Sequence, residues 1–216
     1  MTAHSSIPES RDDDGWGRFT GVAVIHYSPR SGPGSEPTIL IVMGVSGSGK
    51  STIGAMLAQR LQWRFADADW FHPPGNIEKM HQGIPLSDDE RKPWLNAIAS
   101  WIDEMQLRAE PAVIACSALK RRYRDILIGA RRHMGLIYLK GSEALIARRI
   151  AARHEHFMPE SLLRSQFEAL EEPGADEQPI IVSIEPPPNV IVDELIAALG
   201  HAIVLSRSGM GKAADE

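Results

Sequence analysis

The sequence predicts one α/β domain in which helices cover a parallel β-sheet. From Thr38 onwards, short apolar runs alternate with segments of helical periodicity, and repeated strand–helix alternation is typical of a parallel sheet with helices on its faces. The chain of 216 residues is 43% hydrophobic, which is enough to bury one sizeable core. We therefore expect one domain rather than two.

The apolar runs predict the strands, and the periodic segments predict the helices. Strands are expected at 39–43, 64–66, 113–115, 136–139 and 180–184. Helices are expected at 50–61, 93–107, 120–130, 143–153, 159–170 and 189–199. The helical pattern is clearest in 50–61 and 93–107, where apolar residues recur every three or four positions on one face.

Two local signals conflict at the start of the second of these helices. Ser87 and Glu90 have the spacing of a capping box, but a helix that begins there would enclose Pro93, which lacks a backbone donor. We expect instead a short turn, followed by a helix that begins near Pro93.

Both ends of the chain are expected to lie outside the domain, which we place at 38–200. Residues 1–37 are rich in Ser, Pro, Gly and Asp, a composition typical of a disordered extension, although the apolar patch 22–27 could instead add an edge strand. Residues 201–216 are expected to form a C-terminal tail, because the Gly-Met-Gly-Lys sequence there lacks the strand-to-helix context of a phosphate loop.

Composition argues against several classes of function. The net charge is −5 at pH 7, so a large basic surface for nucleic acid or an anionic membrane is not expected. No apolar run approaches the roughly 20 residues of a membrane span, and the acidic N-terminus does not resemble a signal peptide. The single cysteine, Cys116, is expected to be buried and unreactive, as in a reducing compartment. We therefore expect a cytoplasmic protein.

A phosphate-binding loop follows the first predicted strand. Residues 44–51 read Gly-Val-Ser-Gly-Ser-Gly-Lys-Ser and match G-x-x-x-x-G-K-[ST] between a strand and a helix. Glycines allow consecutive N–H groups to point at phosphate oxygens, and the helix N-terminus adds positive potential. Lys50 is expected to bridge the β- and γ-phosphates of ATP, and Ser51 to ligate Mg²⁺. The predicted nucleotide-binding residues of the loop are Gly44, Val45, Ser46, Gly47, Ser48, Gly49, Lys50, Ser51 and Thr52.

The loop alone fits a molecular switch, a motor-type ATPase or a small-molecule kinase, and an acidic pair helps to decide among them. Asp67 and Asp69 end the short second strand, where they should face the same crevice as the loop. In an extended segment they would point to opposite sides. One could then support Mg²⁺ through water while the other accepts a hydrogen bond from an acceptor hydroxyl. The alternative is a pair of solvated loop aspartates.

The segment 69–95 is dense in groups that bind hydroxyls and anions, and it predicts a lid over an acceptor. Arg91 could bind a carboxylate through two hydrogen bonds, with His72, Lys79 and Lys92 as further donors. Each of these residues taken alone is better explained as a solvated surface charge. The density of the cluster favours an acceptor site.

Two pairs of basic residues at helical spacing complete the candidate site. Lys120 and Arg124 share one face of a helix that begins at the strand ends. Arg149 and Arg153 share a face of a later helix that runs into a flexible flap, where they could stack on adenine and reach the transferring phosphate. The alternative for the second pair is an exposed basic face. Backbone groups near Ile184 are the expected base pocket.

These motifs together resemble the P-loop gluconate kinases, often called thermoresistant gluconokinases. The resemblance spans about 39–199 and rests on GVSGSGKS, DADWFHPPGNIEKMHQGIPLSDDERKPWL, CSALKRRYRD, IYLKG and QFEALEEPGADE. It implies an α/β P-loop kinase of adenylate/shikimate-kinase type, with a five-stranded parallel sheet flanked by helices and a mobile flap. It also implies transfer of the γ-phosphate of MgATP to the terminal hydroxyl of D-gluconate, and a possible homodimer.

The resemblance also implies roles for individual residues. It makes Lys50, Asp69 and Arg153 the catalytic residues, with Ser51 and Asp67 on the metal side and Arg149 beside the nucleotide. The implied acceptor contacts, which follow a strand or lie in the lid segment, are Asp69, His72, Lys79, Arg91, Lys120 and Arg124.

Two alternatives remain. A related kinase that acts on shikimate or a nucleoside monophosphate shares the loop, but the glycine run and the Asp-Gly-x-Pro-Arg motif of those kinases are absent here. A nucleotide-binding switch without an acceptor would release ADP independently of gluconate, which makes the two classes separable by experiment.

Overall fold

Five parallel strands form the sheet of this protein, whose computed structural model describes residues 37–82, 84–152 and 160–210, and in part of that span the backbone only. The strands are β1 (Ile39–Met43), β2 (Arg64–Asp67), β3 (Ala112–Ala115), β4 (Met134–Lys140) and β5 (Ile180–Ser183). Their order across the sheet is β2-β3-β1-β4-β5. The predicted five-stranded parallel sheet is confirmed.

Helices connect consecutive strands, as parallel pairing requires. Within the described residues they are α1 (Lys50–Leu61), α2 (Pro74–His81), α3 (Asp88–Leu107), α4 (Arg121–Leu127), α5 (Glu143–Ala151), α6 (Glu160–Ala169) and α7 (Pro188–Met210). Two 3₁₀ turns, Ala68–Phe71 and Ala175–Glu177, follow β2 and precede β5. None of these helices is long and apolar enough to cross a membrane.

Side chains of the central strand β1 alternate between two apolar layers, and every one of its residues is buried. Ile39, Ile41 and Met43 pack with side chains of α3 and α4 on one face of the sheet. Leu40 and Val42 pack with side chains of α1, α5, α6 and α7 on the other. Because both faces are covered, the strands read as continuous apolar runs, and because all are parallel, their carboxyl ends meet at one edge.

Most predicted elements lie within two residues of their observed bounds, and the differences have local causes. Helix α2 was not predicted, although Pro74 at its first turn is a recognised start signal. Helix α7 continues to Met210, so its predicted end at 199 is wrong. Gly200 does not stop it, since one interior glycine costs only about 1 kcal/mol and the apolar run 202–205 follows soon after. The proposed extension and its possible strand at 22–27 lie outside the described residues.

The predicted start of α3 near Pro93 is wrong, because the capping box is real and the proline lies inside the helix. Ser87 Oγ accepts a hydrogen bond from Glu90 N at 3.3 Å, and Glu90 Oε2 accepts one from Ser87 N at 2.8 Å. Pro93 leaves only the Asp89 carbonyl without its helical donor. Both residues are exposed near the start of the helix, so water can bind that carbonyl and the cost is small.

Removing the cap should test this origin of α3. We expect Ser87→Ala to lower the free energy of unfolding by about 1 kcal/mol, because the first turn loses the acceptor for one backbone donor. Chemical denaturation at neutral pH measures the effect. Ser100→Ala, at an exposed position of the same helix, is the matched control and should change the free energy by less than about 0.5 kcal/mol. Equal effects of the two substitutions would contradict the capping role.

Candidate active site

A cleft of about 700 Å³ lies at the carboxyl edge of the sheet. Its walls come from the phosphate loop, the end of β2, the segment that leads into α3, the loop after β3, and α6. The lining residues on the phosphate-loop side are Ser46, Gly47, Gly49, Lys50, Ser51, Thr52, Asp67 and Asp69. Those on the opposite side include His72, Asp88, Arg91, Trp94, Lys120 and Tyr123. The sheet topology therefore joins the two predicted halves of the site.

The phosphate loop has the backbone that its glycines predict. Gly47 and Gly49 have φ of 79° and 96°, which other residues rarely adopt. A Cβ on Gly47 would also lie 2.8 Å from a side-chain carbon of α5, so the loop is packed from behind. Gly44, Val45 and Ser48 support the loop without lining the cleft.

The two polar side chains that open α1 are already placed by hydrogen bonds. Lys50 Nζ donates to the Val45 carbonyl at 3.0 Å, which holds the ammonium over the loop. Ser51 Oγ donates to Asp67 Oδ2 at 2.5 Å. The loop hydroxyl and a carboxylate at the end of β2 are therefore in direct contact, as the predicted metal pair requires.

The expectation that Asp67 and Asp69 point to opposite sides of an extended segment is wrong. The chain enters a 3₁₀ turn at Ala68, and Asp67 Oδ1 caps this turn by accepting a hydrogen bond from Asp69 N at 3.0 Å. Residues two apart in a strand lie on the same face, so the expectation was wrong even for an extended segment. In the structure both carboxylates line the same cleft.

The two carboxylates differ in their environments. Asp67 uses one oxygen for Ser51 and the other for Asp69 N. The pKa of Asp69 is raised above its ordinary value, first because surrounding protein atoms exclude water from its carboxyl group and second because Asp67 is negative, while Lys50 opposes the shift. A raised pKa makes the Asp69 carboxylate a stronger base than an ordinary aspartate.

His72 lines the cleft as a buried, neutral imidazole. Its ring stacks on Trp94 with centroids 4.5 Å apart and an interplanar angle of 3°, and Trp94 Nε1 donates to the Ala68 carbonyl at 2.7 Å. Burial first, and the charge of Arg91 second, lower the pKa of His72 to about 4. His72 can therefore donate one N–H to an acceptor molecule, but it does not supply the positive charge that the sequence analysis allowed.

The acceptor wall contains cations of two kinds. Arg91 lines the cleft one turn into α3, and its guanidinium has no hydrogen-bonded or ion-pair partner within the described parts of the chain. Lys120 Nζ is bound to Asp88 Oδ1 at 3.1 Å, and Asp88 also accepts hydrogen bonds from Arg122 and the Tyr123 hydroxyl. Arg91 is thus the cation most available to an anionic ligand.

Two lysines that were predicted near the acceptor are engaged elsewhere. Lys79 pairs with Glu90 and does not line the cleft. Lys92 pairs with Asp89 at 2.8 Å on the exposed side of α3. The structure therefore does not bring either ammonium into the cleft.

Arg124 is buried in the structure, which corrects its expected role as an acceptor contact. The side chain is 2% exposed. Its Nε and Nη2 donate to the two carboxylate oxygens of Glu177 at 2.5 and 2.9 Å, and its Nη1 donates to the carbonyls of Ala118, Leu119 and Glu171. Lys120, which is the N-cap of α4, lines the cleft, whereas Arg124 does not.

On the donor side, the structure describes one of the two predicted arginines. Arg149 lies near the end of α5 and donates to the Ile184 carbonyl, so it adjoins the segment expected to receive the base. Arg153 lies outside the described residues.

The sequence analysis missed Asp88, Tyr123 and Gln166 as site residues. Asp88 is the first residue of α3, and its signal was the capping box that we set aside. Gln166 Oε1 accepts a hydrogen bond from Ser46 N at 2.7 Å, a contact over 120 positions that no local pattern predicts. By contrast, the prediction for Cys116 is confirmed, because the thiol is buried and burial raises its pKa to about 12.

Comparisons with known proteins agree on the relationship. A profile of the shikimate kinase family matches residues 46–199. The gluconokinase of Gluconobacter oxydans (strain 621H) is 47% identical over 163 residues, which are 76% of this chain and 92% of that protein. The thermoresistant gluconokinase of Escherichia coli (strain K12) is 44% identical over 162 residues, 74% of this chain and 93% of that protein. The chain belongs to the gluconokinase family.

A solved gluconokinase has the same fold. The crystal structure of a gluconokinase from Sinorhizobium meliloti 1021 superposes with a TM-score of 0.69 and 42% identity, and the match covers 85% of this chain and 99% of that chain. The shikimate kinase profile and the gluconokinase relatives together establish a P-loop kinase that uses ATP.

Acidification should destabilise this gluconokinase through His72. An unfolded histidine has a pKa near 6.5. Between about pH 6.5 and 4 the unfolded chain therefore binds a proton at this position and the folded protein does not. The free energy of unfolding thus falls as the pH falls through this range. From pH 7 to pH 5 this loss is roughly 2 kcal/mol. We expect His72→Phe, which keeps an aromatic ring against Trp94, to lose roughly 2 kcal/mol less stability than the wild-type protein between pH 7 and pH 5. Urea denaturation at the two pH values measures the difference. Identical losses would contradict the buried neutral imidazole.

Breaking the buried ion pair should be costly. Arg124→Met leaves the Glu177 carboxylate without its partner, and we expect a loss of about 3–5 kcal/mol in the free energy of unfolding. Arg121→Met is the control: Arg121 lies on the same helix as Arg124, and its exposed ion pair with Asp176 should contribute little to stability. Denaturant titration measures both. A tolerated Arg124→Met would show that the pair does not organise this region.

Proposed function

We propose that this chain is a gluconokinase, which transfers the γ-phosphate of MgATP to the terminal hydroxyl of D-gluconate and yields 6-phospho-D-gluconate and ADP. The observation that supports it most is that one cleft contains both a phosphate loop and a cationic wall, since Lys50, Arg91 and Lys120 line the same space. A nucleotide switch requires only the loop. The cationic wall can bind a polyhydroxy acid beside the nucleotide.

On the donor side, the phosphate loop supplies backbone N–H groups and one charge. The N-terminus of α1 and the glycine-rich backbone favour phosphate oxygens, and Lys50 stabilises the negative charge that moves between the β- and γ-phosphates. Arg149, through its position beside Ile184, is proposed to border the nucleotide. Arg153 is proposed as a second donor-side cation from the motif alone.

Mg²⁺ fits the polar groups at the end of β2. Ser51 Oγ and the Asp67 carboxylate are in contact, and oxygen ligands are those that Mg²⁺ prefers. No cluster of three metal-binding side chains occurs among the described residues, which agrees with an ion that binds through one or two protein groups, water and phosphate. When bound, the ion would neutralise the phosphate charge. Ser51 would hold it directly and Asp67 through water.

On the acceptor side, Asp69 is proposed to orient the terminal hydroxyl and take its proton. The hydroxyl oxygen forms the new bond to the γ-phosphorus, the bond from that phosphorus to the β–γ bridging oxygen breaks, and the hydroxyl proton passes to Asp69. A carboxylate with a raised pKa is a stronger proton acceptor than an ordinary aspartate.

The carboxylate of gluconate is proposed to bind Arg91. A guanidinium can donate two parallel hydrogen bonds to a carboxylate, and Arg91 is not held by another residue of the described chain. Neutral His72 adds a hydrogen-bond donor near it without attracting anions in general. Hydroxyls along the polyol can bind the other polar groups of the wall.

A coupled ADP-release assay tests this function. We expect release to require gluconate and to be at background with shikimate, nucleoside monophosphates or sorbitol. Sorbitol is the matched control, because it keeps the hydroxyl chain and lacks the carboxylate. Release without any acceptor would favour a switch or ATPase, and release with shikimate alone would favour the related kinase.

Neutralising Asp69 should impair the chemical step. We expect Asp69→Asn to lower kcat by roughly 10²- to 10⁴-fold, because the amide keeps the shape and loses the basicity, while ATP binding changes little. Steady-state kinetics with saturating gluconate and calorimetric nucleotide binding measure the two quantities.

Asp67→Asn is the matched comparison for the neighbouring carboxylate. It should raise the Mg²⁺ concentration needed for half-maximal rate, because it weakens a group that orients metal-bound water. If Asp69→Asn turns over normally while Asp67→Asn stays inactive at any Mg²⁺ concentration, the roles are reversed.

A further inference from the structure

The position of Gln166 is not explained by the functions assigned so far. Its side chain is half-buried in the cleft wall on α6, and its Oε1 accepts a hydrogen bond from Ser46 N at 2.7 Å. Backbone N–H groups of a phosphate loop serve phosphate oxygens. In this structure the amide oxygen of Gln166 accepts the Ser46 N–H, as a phosphate oxygen would.

Ser46 lies at the outer part of the loop. The backbone N–H groups next to α1 bind the α- and β-phosphates, while the Lys50 side chain reaches the β- and γ-phosphates, and Ser46 precedes Lys50 by four residues. Its N–H is therefore closer to where the outermost phosphate enters the cleft. Gln166 would meet the γ-phosphate and not the inner two.

Helix α6 also reaches the acceptor side. Glu171, just after α6, donates its N–H to the Leu119 carbonyl at 2.9 Å and accepts through its carboxylate from Arg121 N at 2.6 Å. Leu119 directly precedes Lys120 of the acceptor wall. Gln166 thus stands between the phosphate loop and the wall that the phosphoryl group must approach.

A side-chain amide suits this place because its two ends have opposite hydrogen-bonding character. The oxygen accepts, and the nitrogen donates two hydrogens from nearly the same shape. We propose that Gln166 is a γ-phosphate contact: when a phosphate oxygen takes the Ser46 N–H, the Gln166 amide turns and donates from Nε2 to the γ-phosphate. The proposal rests on the proposed ATP-dependent phosphotransfer and adds a residue that distinguishes ATP from ADP.

Substitution by glutamate distinguishes the accepting function of the Gln166 side chain from its donating function. Gln166→Glu keeps an acceptor for Ser46 N, so the protein without nucleotide should unfold at nearly the wild-type temperature. It cannot donate to the γ-phosphate and adds a negative charge there. Gln166→Met removes both functions and keeps the length. Gln59→Glu, at an exposed position of α1, adds the same charge away from the cleft.

The test measures binding of ADP and of a non-hydrolysable β,γ-imido ATP analogue, both with Mg²⁺ and without acceptor, by calorimetry. We expect Gln166→Glu to weaken the analogue about tenfold or more and ADP by less than about threefold, because the loss of one hydrogen bond to a charged group accounts for such a factor. Gln166→Met should weaken the analogue selectively but less, and Gln59→Glu should change neither.

Equal losses for the two nucleotides, or no loss in Gln166→Glu, would overturn the proposal. Since these measurements contain no gluconate, they are independent of the acceptor assay. Wild-type protein that fails to release ADP with gluconate would refute the proposed function and leave the nucleotide comparison intact.

Discussion

The guanidinium of Arg124 holds the acceptor side of this molecule in place. One side chain with almost no access to water binds Glu177, the carbonyls of Ala118 and Leu119, and the carbonyl of Glu171. Burial alone would raise the pKa of Glu177, yet its hydrogen bonds from Arg124 hold that pKa below the ordinary value, so the pair stays charged. The loop that carries Lys120 and the segment that follows α6 are therefore held by the same side chain. Moving this side chain would leave buried donors and a buried charge without partners, which is costly.

Features with a local cause could be predicted from the sequence. The phosphate loop follows from residue types at fixed offsets, and the strands follow from continuous apolar runs that only a sheet covered on both faces explains. The placement of Asp67 and Lys120 at the same edge of the sheet follows from parallel topology, without any knowledge of packing. For these parts the sequence analysis was close to the structure, and the resemblance to a known family supplied the choice of acceptor.

The predictions that failed concerned residues whose positions depend on distant contacts or on competition between local signals. Arg124 and Lys120 have the same spacing on a helix face whether one is buried or not, and only the position of Glu177, 53 residues away, decides it. The proline in α3 was overvalued, since an exposed carbonyl without a donor costs little where water is available. Gln166 begins the QFEALEEPGADE motif, but its contact could not be predicted, because glutamine has no charge and its partner is a backbone N–H far along the chain.

The two aspartates show how one short turn can separate two roles. Asp67 has both oxygens engaged, by Ser51 and by the N–H of Asp69, so its orientation is fixed by donors. Asp69 faces the same cleft, but its carboxyl group is crowded by protein and by the negative charge beside it. Crowding opposes the ionised form, so Asp69, next to the acceptor wall, is suited to take a proton, while Asp67, in contact with the loop hydroxyl, is placed to face a metal. Because Asp67 Oδ1 also accepts a hydrogen bond from Asp69 N at 3.0 Å, the turn that gives the two carboxylates different environments keeps both of them in one cleft, within reach of one ligand.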